Sequence, residues 1–130
     1  MNTIRLLSLL TLTYFLTACS GHPGAGNWQS TNENMPNFIK EFVRLEVGYE
    51  GRTDIFGETP IITEDGNGAI RRCFWRGADA QTIVMTCVQA ANTDIEESYQ
   101  LRVGPDKKVA ELIKDEMVVG RFVREKYTGQ

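Results

Sequence analysis

Apolar and polar side chains alternate with a period of two along much of this chain. Val43, Leu45 and Val47 are separated by charged residues, and Leu101 and Val103 flank an arginine further along. Because successive side chains of a strand point to opposite faces of a sheet, this alternation is typical of antiparallel strands with one buried face. The sequence therefore predicts a mainly β fold.

Turn-forming residues separate the predicted strands at short intervals. Residues 64–68 contain two glycines that can adopt positive φ angles, and Pro105 stands where a type I turn fixes φ. Turns at this density favour a single meander of consecutive antiparallel strands. The predicted strands are residues 27–30, 41–49, 53–56, 60–63, 69–76, 82–91, 97–103, 108–114 and 117–125.

Two segments depart from the alternation. Pro36 stands at a favourable first helical position with apolar residues following on one side, which predicts one short helix over residues 36–42. Residues 109–125 fit either a helix or a pair of strands. Gly120 and the β-branched valines around it favour the strand pair, which would form a C-terminal hairpin.

Two cysteines in the predicted β region are placed for a disulfide. If a hairpin centred on Ala80 joins the strands that carry them, Cys73 faces Cys87 and Trp75 faces Met85. Facing Cα atoms lie about 4.5–5.5 Å apart, which suits a disulfide. The alternative is a pair of buried free thiols, because a change of register by one residue removes the facing geometry.

The N-terminal residues have the order of a secretory signal peptide. The basic residue Arg5 precedes an apolar run, and the small residue Ala18 stands before Cys19. The run, residues 6–18, is shorter than the roughly 20 residues of a membrane span and contains several hydroxyl side chains. A cleaved signal is therefore favoured over a transmembrane anchor or a buried helix.

The segment Leu16-Thr17-Ala18-Cys19 resembles the processing site of bacterial lipoproteins. The resemblance implies that the peptide before Cys19 is removed and that the cysteine carries diacylglycerol and palmitate chains. Ser20, which follows the cysteine, implies the outer membrane, with the domain on its periplasmic face. The implied organisation is a signal peptide at residues 1–18, a lipidated tether at 19–26 and a β-barrel domain at 27–130.

The composition argues against several kinds of chemistry. The formal net charge is −3, from 14 basic and 17 acidic residues, which disfavours nucleic acid as a partner. The only histidine, His22, lies in the predicted tether, so zinc sites and histidine-dependent catalysis are not expected in the domain. Acidic clusters near Asp65 and Asp94 are more typical of solvated turns than of catalytic pairs or a calcium loop. We therefore expect no enzyme activity, no cofactor and no metal.

The arrangement of these elements is similar to that of small lipocalin-like barrels. The similarity consists of Gly26-Asn27-Trp28 at the first strand, the short helix, the meander and a last strand that contains residues 120–124. It implies an antiparallel meander that closes into a barrel, with Trp28 packed across the closed end against Arg121 or Arg124. It also implies a lipophilic ligand, although a chain of this length can fill an eight-stranded barrel with its own side chains.

Basic and aromatic residues are concentrated in one predicted strand. Alternation places Arg72 and Phe74 on one face, and Cys73 and Trp75 on the other. One face can therefore contact an acidic or aromatic partner. The alternative is that the arginines form ion pairs across the sheet and the aromatics belong to the core.

These features leave three functions in view, of which a periplasmic enzyme is the least favoured because the predicted domain contains no histidine. The first is a membrane-anchored binding module for a lipophilic ligand or an envelope protein complex, with Trp28, Arg72, Phe74 and Trp75 as candidate contacts. The second is an inhibitor or immunity lipoprotein that blocks a basic hydrolase such as a lysozyme-like enzyme. Its candidate contacts are the acidic residues Asp94, Glu96 and Glu97, with Ile95 as an apolar anchor between them.

Overall fold

Eight antiparallel strands form a closed barrel in a computed structural model that describes residues 21–59, 61 and 66–125. Each strand pairs with the next one along the chain, and the last pairs with the first, with Trp28 opposite Arg124. The predicted mainly β meander that closes into a barrel is therefore confirmed. The strands are β1 (Gly26–Ser30), β2 (Arg44–Val47), β3 (Arg52–Phe56), β4 (Arg71–Gly77), β5 (Thr82–Gln89), β6 (Asn92–Val103), β7 (Val109–Lys114) and β8 (Met117–Arg124).

The C-terminal part of the domain is a hairpin, as Gly120 and the valines around it predict. Strands β7 and β8 pair from Val109 opposite Val123 to Lys114 opposite Met117. The connecting residues Asp115 and Glu116 both have positive φ angles, of 50° and 66°, which is the conformation of a tight two-residue hairpin turn. The helical alternative for this segment is therefore wrong.

The short helix predicted over residues 36–42 is wrong. The segment contains two successive turns, in which the Phe38 amide donates to the Met35 carbonyl at 3.1 Å and the Phe42 amide donates to the Ile39 carbonyl at 3.2 Å. The Ile39 amide donates instead to the Val119 carbonyl in β8 at 2.7 Å. Packing of this segment on the barrel therefore uses the Ile39 amide, a backbone donor that a helix would need for its own hydrogen bond.

Other predicted strands differ in their bounds, among them the strand expected at residues 41–49, which is shorter in the structure and spans Arg44–Val47. Residues 97–103 were expected as a strand preceded by an acidic connection, but β6 begins at Asn92 and contains the acidic residues. A register shift between Val88 and Gln89 allows this long strand to follow β5 around a tight turn. Most of the predicted strand at 60–63 lies outside the described residues, and Ile61 is not in a strand.

The predicted hairpin register between β4 and β5 is confirmed. Cys73 faces Cys87 and Trp75 faces Met85. The two cysteines form a disulfide with a Cα–Cα distance of 4.0 Å, and both are buried inside the barrel. The bond therefore joins two neighbouring strands from within the core.

Large side chains occupy the inside of the barrel. They come from every strand and from the segment between β1 and β2, which contributes Phe42. The Phe42 ring packs edge-on against Tyr99, with ring centroids 5.7 Å apart. An eight-stranded barrel is just wide enough to be filled in this way. The largest fully buried side chains are those of Trp28, Tyr99, Phe42, Phe122, Leu45, Ile55, Ile83, Met85, Leu101 and Leu112.

The alternating direction of the strands gives the barrel two distinct ends. The start of β1 and the β2–β3, β4–β5 and β6–β7 turns lie at one end, which we call the tether end. The β1–β2, β3–β4, β5–β6 and β7–β8 connections lie at the other, which we call the distal end. Within the described ranges, no helix is both long and apolar enough to cross a membrane.

Residues 22–25, which the sequence assigned to the tether, are packed against the tether end. His22 Nε2 donates to the Asp79 carbonyl at 2.7 Å, and His22 Nδ1 accepts from the Gly24 amide at 2.9 Å. The Ala25 amide closes a turn onto the His22 carbonyl at 3.0 Å, and Gly24 and Ala25 are buried. The folded domain therefore begins before residue 27.

Candidate functional site

Trp28 lies inside the barrel, where it closes the tether end. Its side chain is fully buried, and its indole Nε1 donates to the Gly24 carbonyl at 2.9 Å. The guanidinium of Arg124 lies 4.2 Å from the indole ring centroid. Arg124 also donates to the Ala25 carbonyl at 2.7 Å and to the Pro23 carbonyl. Trp28 and Arg124, the two partners of the predicted contact, therefore both stabilise the fold.

Of the two basic residues considered for that contact, Arg124 makes it and Arg121 does not. Arg121 points away from the interior, where its guanidinium pairs with Glu33 at 3.1 Å and with Glu111 at 3.3 Å. It also lies over the Phe38 ring at 5.7 Å. Arg121 thus fastens the β1–β2 connection to the outside of β7 and β8.

Trp75 is also tied to the tether end. Its Nε1 donates to the Gly48 carbonyl at 2.7 Å, and its ring meets the His22 ring edge-on, with centroids 6.0 Å apart. The side chain is half-buried. Trp75 and Phe74 point to opposite sides of β4, as the alternation predicts, so they do not form one site.

Phe74 is the most prominent apolar group on the outer wall of the barrel. Its side chain is 70% exposed, and it lies in the middle of β4 and not in a loop. The Arg52 guanidinium lies 6.0 Å from its ring centroid. Thr86 stands opposite Phe74 on the next strand. The Phe74 ring is thus presented to solvent from a rigid part of the fold.

Arg52, Phe74 and Thr86 form one row across neighbouring strands, and a second row with three charged residues lies beside it. Asp54 pairs with Arg72, Arg72 with Val88, and Val88 with Glu96 across four neighbouring strands. The two rows border a groove of about 580 Å³. We call this surface the outer-face patch; it consists of Arg52, Asp54, Asn67, Arg72, Phe74, Thr86, Val88 and Glu96.

Hydrogen bonds hold the charged edge of the outer-face patch. Asn67 Nδ2 donates to Asp54 Oδ2 at 3.2 Å, and Asn67 Oδ1 accepts from Arg72 Nη2 at 3.3 Å. The same oxygen accepts from the Ala69 amide at 2.9 Å. Because Asn67 joins a residue of β3 to one of β4, the side chains beside Phe74 are held in position by the fold.

Glu97 lies at the distal end of the interior and not on the acidic surface. Its carboxylate accepts from Arg71 Nε at 2.7 Å, from the Tyr99 hydroxyl at 2.8 Å and from Lys114 Nζ at 3.2 Å. Burial works to raise the pKa of Glu97, but the hydrogen bonds from Tyr99 and Lys114 and the charge of Arg71 outweigh it and lower that pKa. Burial and the neighbouring carboxylate raise the pKa of Tyr99. The cluster is therefore an ionised network that secures β4, β6 and β7.

The other acidic residues of this segment face solvent. Asp94 and Glu96 are exposed, and Ile95 between them is 41% exposed. They lie in the first half of β6, near the distal end. The structure thus separates Glu97 from the three residues that the sequence grouped with it.

Metal binding and lipidation are the two kinds of site that remain to be compared with the described residues. No group of three or more histidine, cysteine or acidic side chains there could hold a metal ion. Asn67 of the calcium-like segment is engaged by Asp54 and Ala69. Cys19, the predicted lipidation site, lies outside the described residues.

Sequence reasoning missed Arg52, Asp54 and Asn67 as members of the outer-face patch. Arg52 and Asp54 alternate with the buried Thr53 and Ile55, which is a signal that they point outward. Their proximity to Phe74 depends on the pairing of β3 with β4, and no short turn in the sequence indicates that register.

No known protein family, curated protein or solved structure matches this chain.

Proposed function

We propose that this protein is a lipid-anchored binding module that presents its outer-face patch to a protein of the cell envelope. The observation that carries the proposal is the exposure of Phe74 in the middle of β4, beside Arg52 and a row of charged side chains held by hydrogen bonds. The proposed anchor is the acylated Cys19, and the proposed location is the periplasmic face of the outer membrane.

The filled interior favours an outer binding surface over a ligand carried inside the barrel. Trp28, Tyr99 and Phe122 are fully buried there among aliphatic side chains. A lipophilic ligand needs an apolar cavity of several hundred Å³. A groove of about 580 Å³ lies instead on the outer wall, bordered by charged and apolar groups together.

The chemistry of the outer-face patch suits a protein partner. Aromatic residues and arginine are enriched in the centres of protein interfaces, and polar groups surround them. Phe74 supplies the apolar centre, Arg52 lies beside its ring, and Asp54 and Glu96 add negative charges at the edge. A surface with charges of both signs selects a complementary protein better than it selects an anionic lipid or nucleic acid.

In-cell photo-cross-linking tests the proposal. A photoreactive residue placed at Thr86, next to Phe74, is expected to give a discrete protein adduct in the envelope. The same residue placed at Val123, on the opposite wall and 39% exposed, is expected to give none. The intact mass of the purified protein would report the acyl chains on Cys19.

The matched substitutions are Phe74→Ala and Val123→Ala. Loss of an aromatic anchor is expected to weaken the Thr86 adduct about tenfold or more, because such residues contribute upward of about 1.4 kcal/mol to binding. Val123→Ala is expected to leave it unchanged. Equal adducts at Thr86 with and without Phe74, in a protein that melts normally, would reject the outer-face patch as the binding surface.

An inhibitor or immunity lipoprotein is the second candidate function. It is favoured by the exposure of Ile95 between two solvated carboxylates, Asp94 and Glu96, on a long strand. The test is inhibition of a lysozyme-like enzyme by the soluble domain. Charge reversal with Asp94→Lys, at a residue outside the outer-face patch, is expected to weaken inhibition, whereas Phe74→Ala is expected to leave it intact.

A further inference from the structure

We infer that the tether end of the barrel rests directly on the lipid headgroups, with Tyr49 at the bilayer surface and the distal end pointing away from it. This inference rests on the proposed acylation of Cys19. It adds an orientation to the proposed anchor and assigns the turns of the tether end to a lipid surface.

The short covalent path from Cys19 to the folded domain carries the argument. Gly21 is the first described residue, and two residues of chain reach at most about 7 Å. From His22 onward the chain is fixed to the barrel. The His22 side chain donates to the Asp79 carbonyl, and Arg124 of β8 donates to the carbonyls of Pro23 and Ala25. A lipid on Cys19 therefore holds the tether end within a few ångströms of the membrane.

Tyr49 lies at the point where the chain leaves the barrel. Its side chain is 75% exposed, and a Cβ built on Gly21 would lie 3.0 Å from Tyr49 Cε1. Tyrosine is enriched at membrane surfaces because its ring enters the apolar boundary while its hydroxyl stays hydrated. Tyr49 is thus an exposed aromatic side chain beside Gly21, two residues from the proposed lipid.

Charged groups of both signs are exposed at the tether end, without a strong net charge. The turns and adjoining strand ends of the tether end expose the cations Arg52, Arg76, Lys107 and Lys108 and the anions Glu50, Asp79 and Asp106. The last two carboxylates also accept backbone hydrogen bonds within their own turns, from Gln81 at 2.8 Å and Lys108 at 3.0 Å. The contact is therefore expected on neutral phosphatidylcholine and does not require anionic lipid.

This orientation places the outer-face patch close to the membrane. Phe74 lies three residues from Gly77, where β4 reaches the tether end, which corresponds to about 10 Å along a strand. A partner that contacts Phe74 would therefore meet it just above the headgroups. The acidic residues of β6 would be presented further from the bilayer, near the distal end.

Hydroxyl-radical footprinting by mass spectrometry tests the orientation. The full-length protein, purified from membranes and reconstituted in phosphatidylcholine vesicles, is compared with soluble residues 20–130. We expect the oxidation rate of Tyr49 to fall about threefold or more on vesicles, as an aromatic ring enters the interface. Met35 and Met117, at the distal end and 43% and 49% exposed, serve as internal controls and are expected to keep their rates.

The outcomes separate the orientation from the anchor. An intact mass without acyl chains would overturn the proposed anchor and the inference with it. An acylated, vesicle-bound protein in which Tyr49 oxidises as fast as in solution would overturn the inference alone. Protection of Met35 and Met117 in place of Tyr49 would also overturn it, since the distal end would then face the bilayer.

Discussion

Replacement of Arg124 by methionine is the most informative test of how the tether end is held closed. Methionine keeps an apolar stem against Trp28 but removes the charge and all of the donors. The guanidinium lies 4.2 Å from the indole centroid and donates to carbonyls on both sides, including Lys107 at 2.9 Å and Ala25 at 2.7 Å. One side chain thus joins the N-terminal segment, β1 and the β6–β7 turn.

The expected loss follows from those contacts. A cation–π contact at a partly buried site contributes about 1–2 kcal/mol, and a hydrogen bond from a charged donor contributes about 1.5–3 kcal/mol. The bonds to Pro23 and Ala25 are partly buried and count most, whereas the bond to Lys107 is exposed. Burial lowers the pKa of Arg124, which marks a desolvation cost that the variant recovers. We expect a net loss of about 3–4 kcal/mol.

Urea unfolding followed by tryptophan fluorescence and circular dichroism measures this loss. For a domain of this size it corresponds to a midpoint about 2 M lower. Arg121→Met is the matched control, because Arg121 lies in the same strand but pairs with Glu33 and Glu111 at the surface; it is expected to shift the midpoint far less. Equal shifts for the two variants, or a loss below about 1 kcal/mol for Arg124→Met, would refute the reasoning.

Three further substitutions test other parts of the barrel. Replacing Cys73 and Cys87 together by alanine is expected to cost about 3 kcal/mol, the loop entropy of a closed segment of this length, and denaturant midpoints with and without the bond would check it. Glu97→Gln is expected to flatten the acid side of the stability profile, measured by thermal melts from pH 7 to pH 3. Because the folded-state pKa of Glu97 is lowered from 4.5, the ionised side chain stabilises the fold above that pH, and this stabilisation is lost as the pH falls through the lowered pKa. Glu116→Gly is expected to stabilise by about 1 kcal/mol, since glycine adopts the positive φ of 66° without strain; an unchanged melting temperature would contradict it.

The parts of the fold that follow from local pattern could be predicted from the sequence. Alternation and turn residues located the strands, and the symmetry about Ala80 placed Cys73 against Cys87. In contrast, the helix expected after Pro36 failed because a tertiary hydrogen bond from Ile39 to β8 competes with the local helical one. Local propensity does not contain that competitor.

Only part of the candidate site could be predicted from the sequence, for a related reason. Glu97 shares its parity with Tyr99 and Leu101, so alternation alone could have placed it inside the barrel, but its charge suggested the surface. The patch around Phe74 depends on which residues of β3 lie beside β4, and a long connection separates those strands in sequence. Register across such a connection is set by the closed barrel as a whole.

The seam between β1 and β8 sets the order in which this barrel can assemble. Every other pair of neighbouring strands is consecutive in sequence and closes a much shorter segment of chain, whereas the contact from Arg124 to Ala25 spans 99 residues. The largest loop-closure entropy therefore falls on one late event, and β1 waits with an unpaired edge until β8 has been synthesised. A chain that stops short of β8 would keep two open edges and would be prone to associate with its own copies.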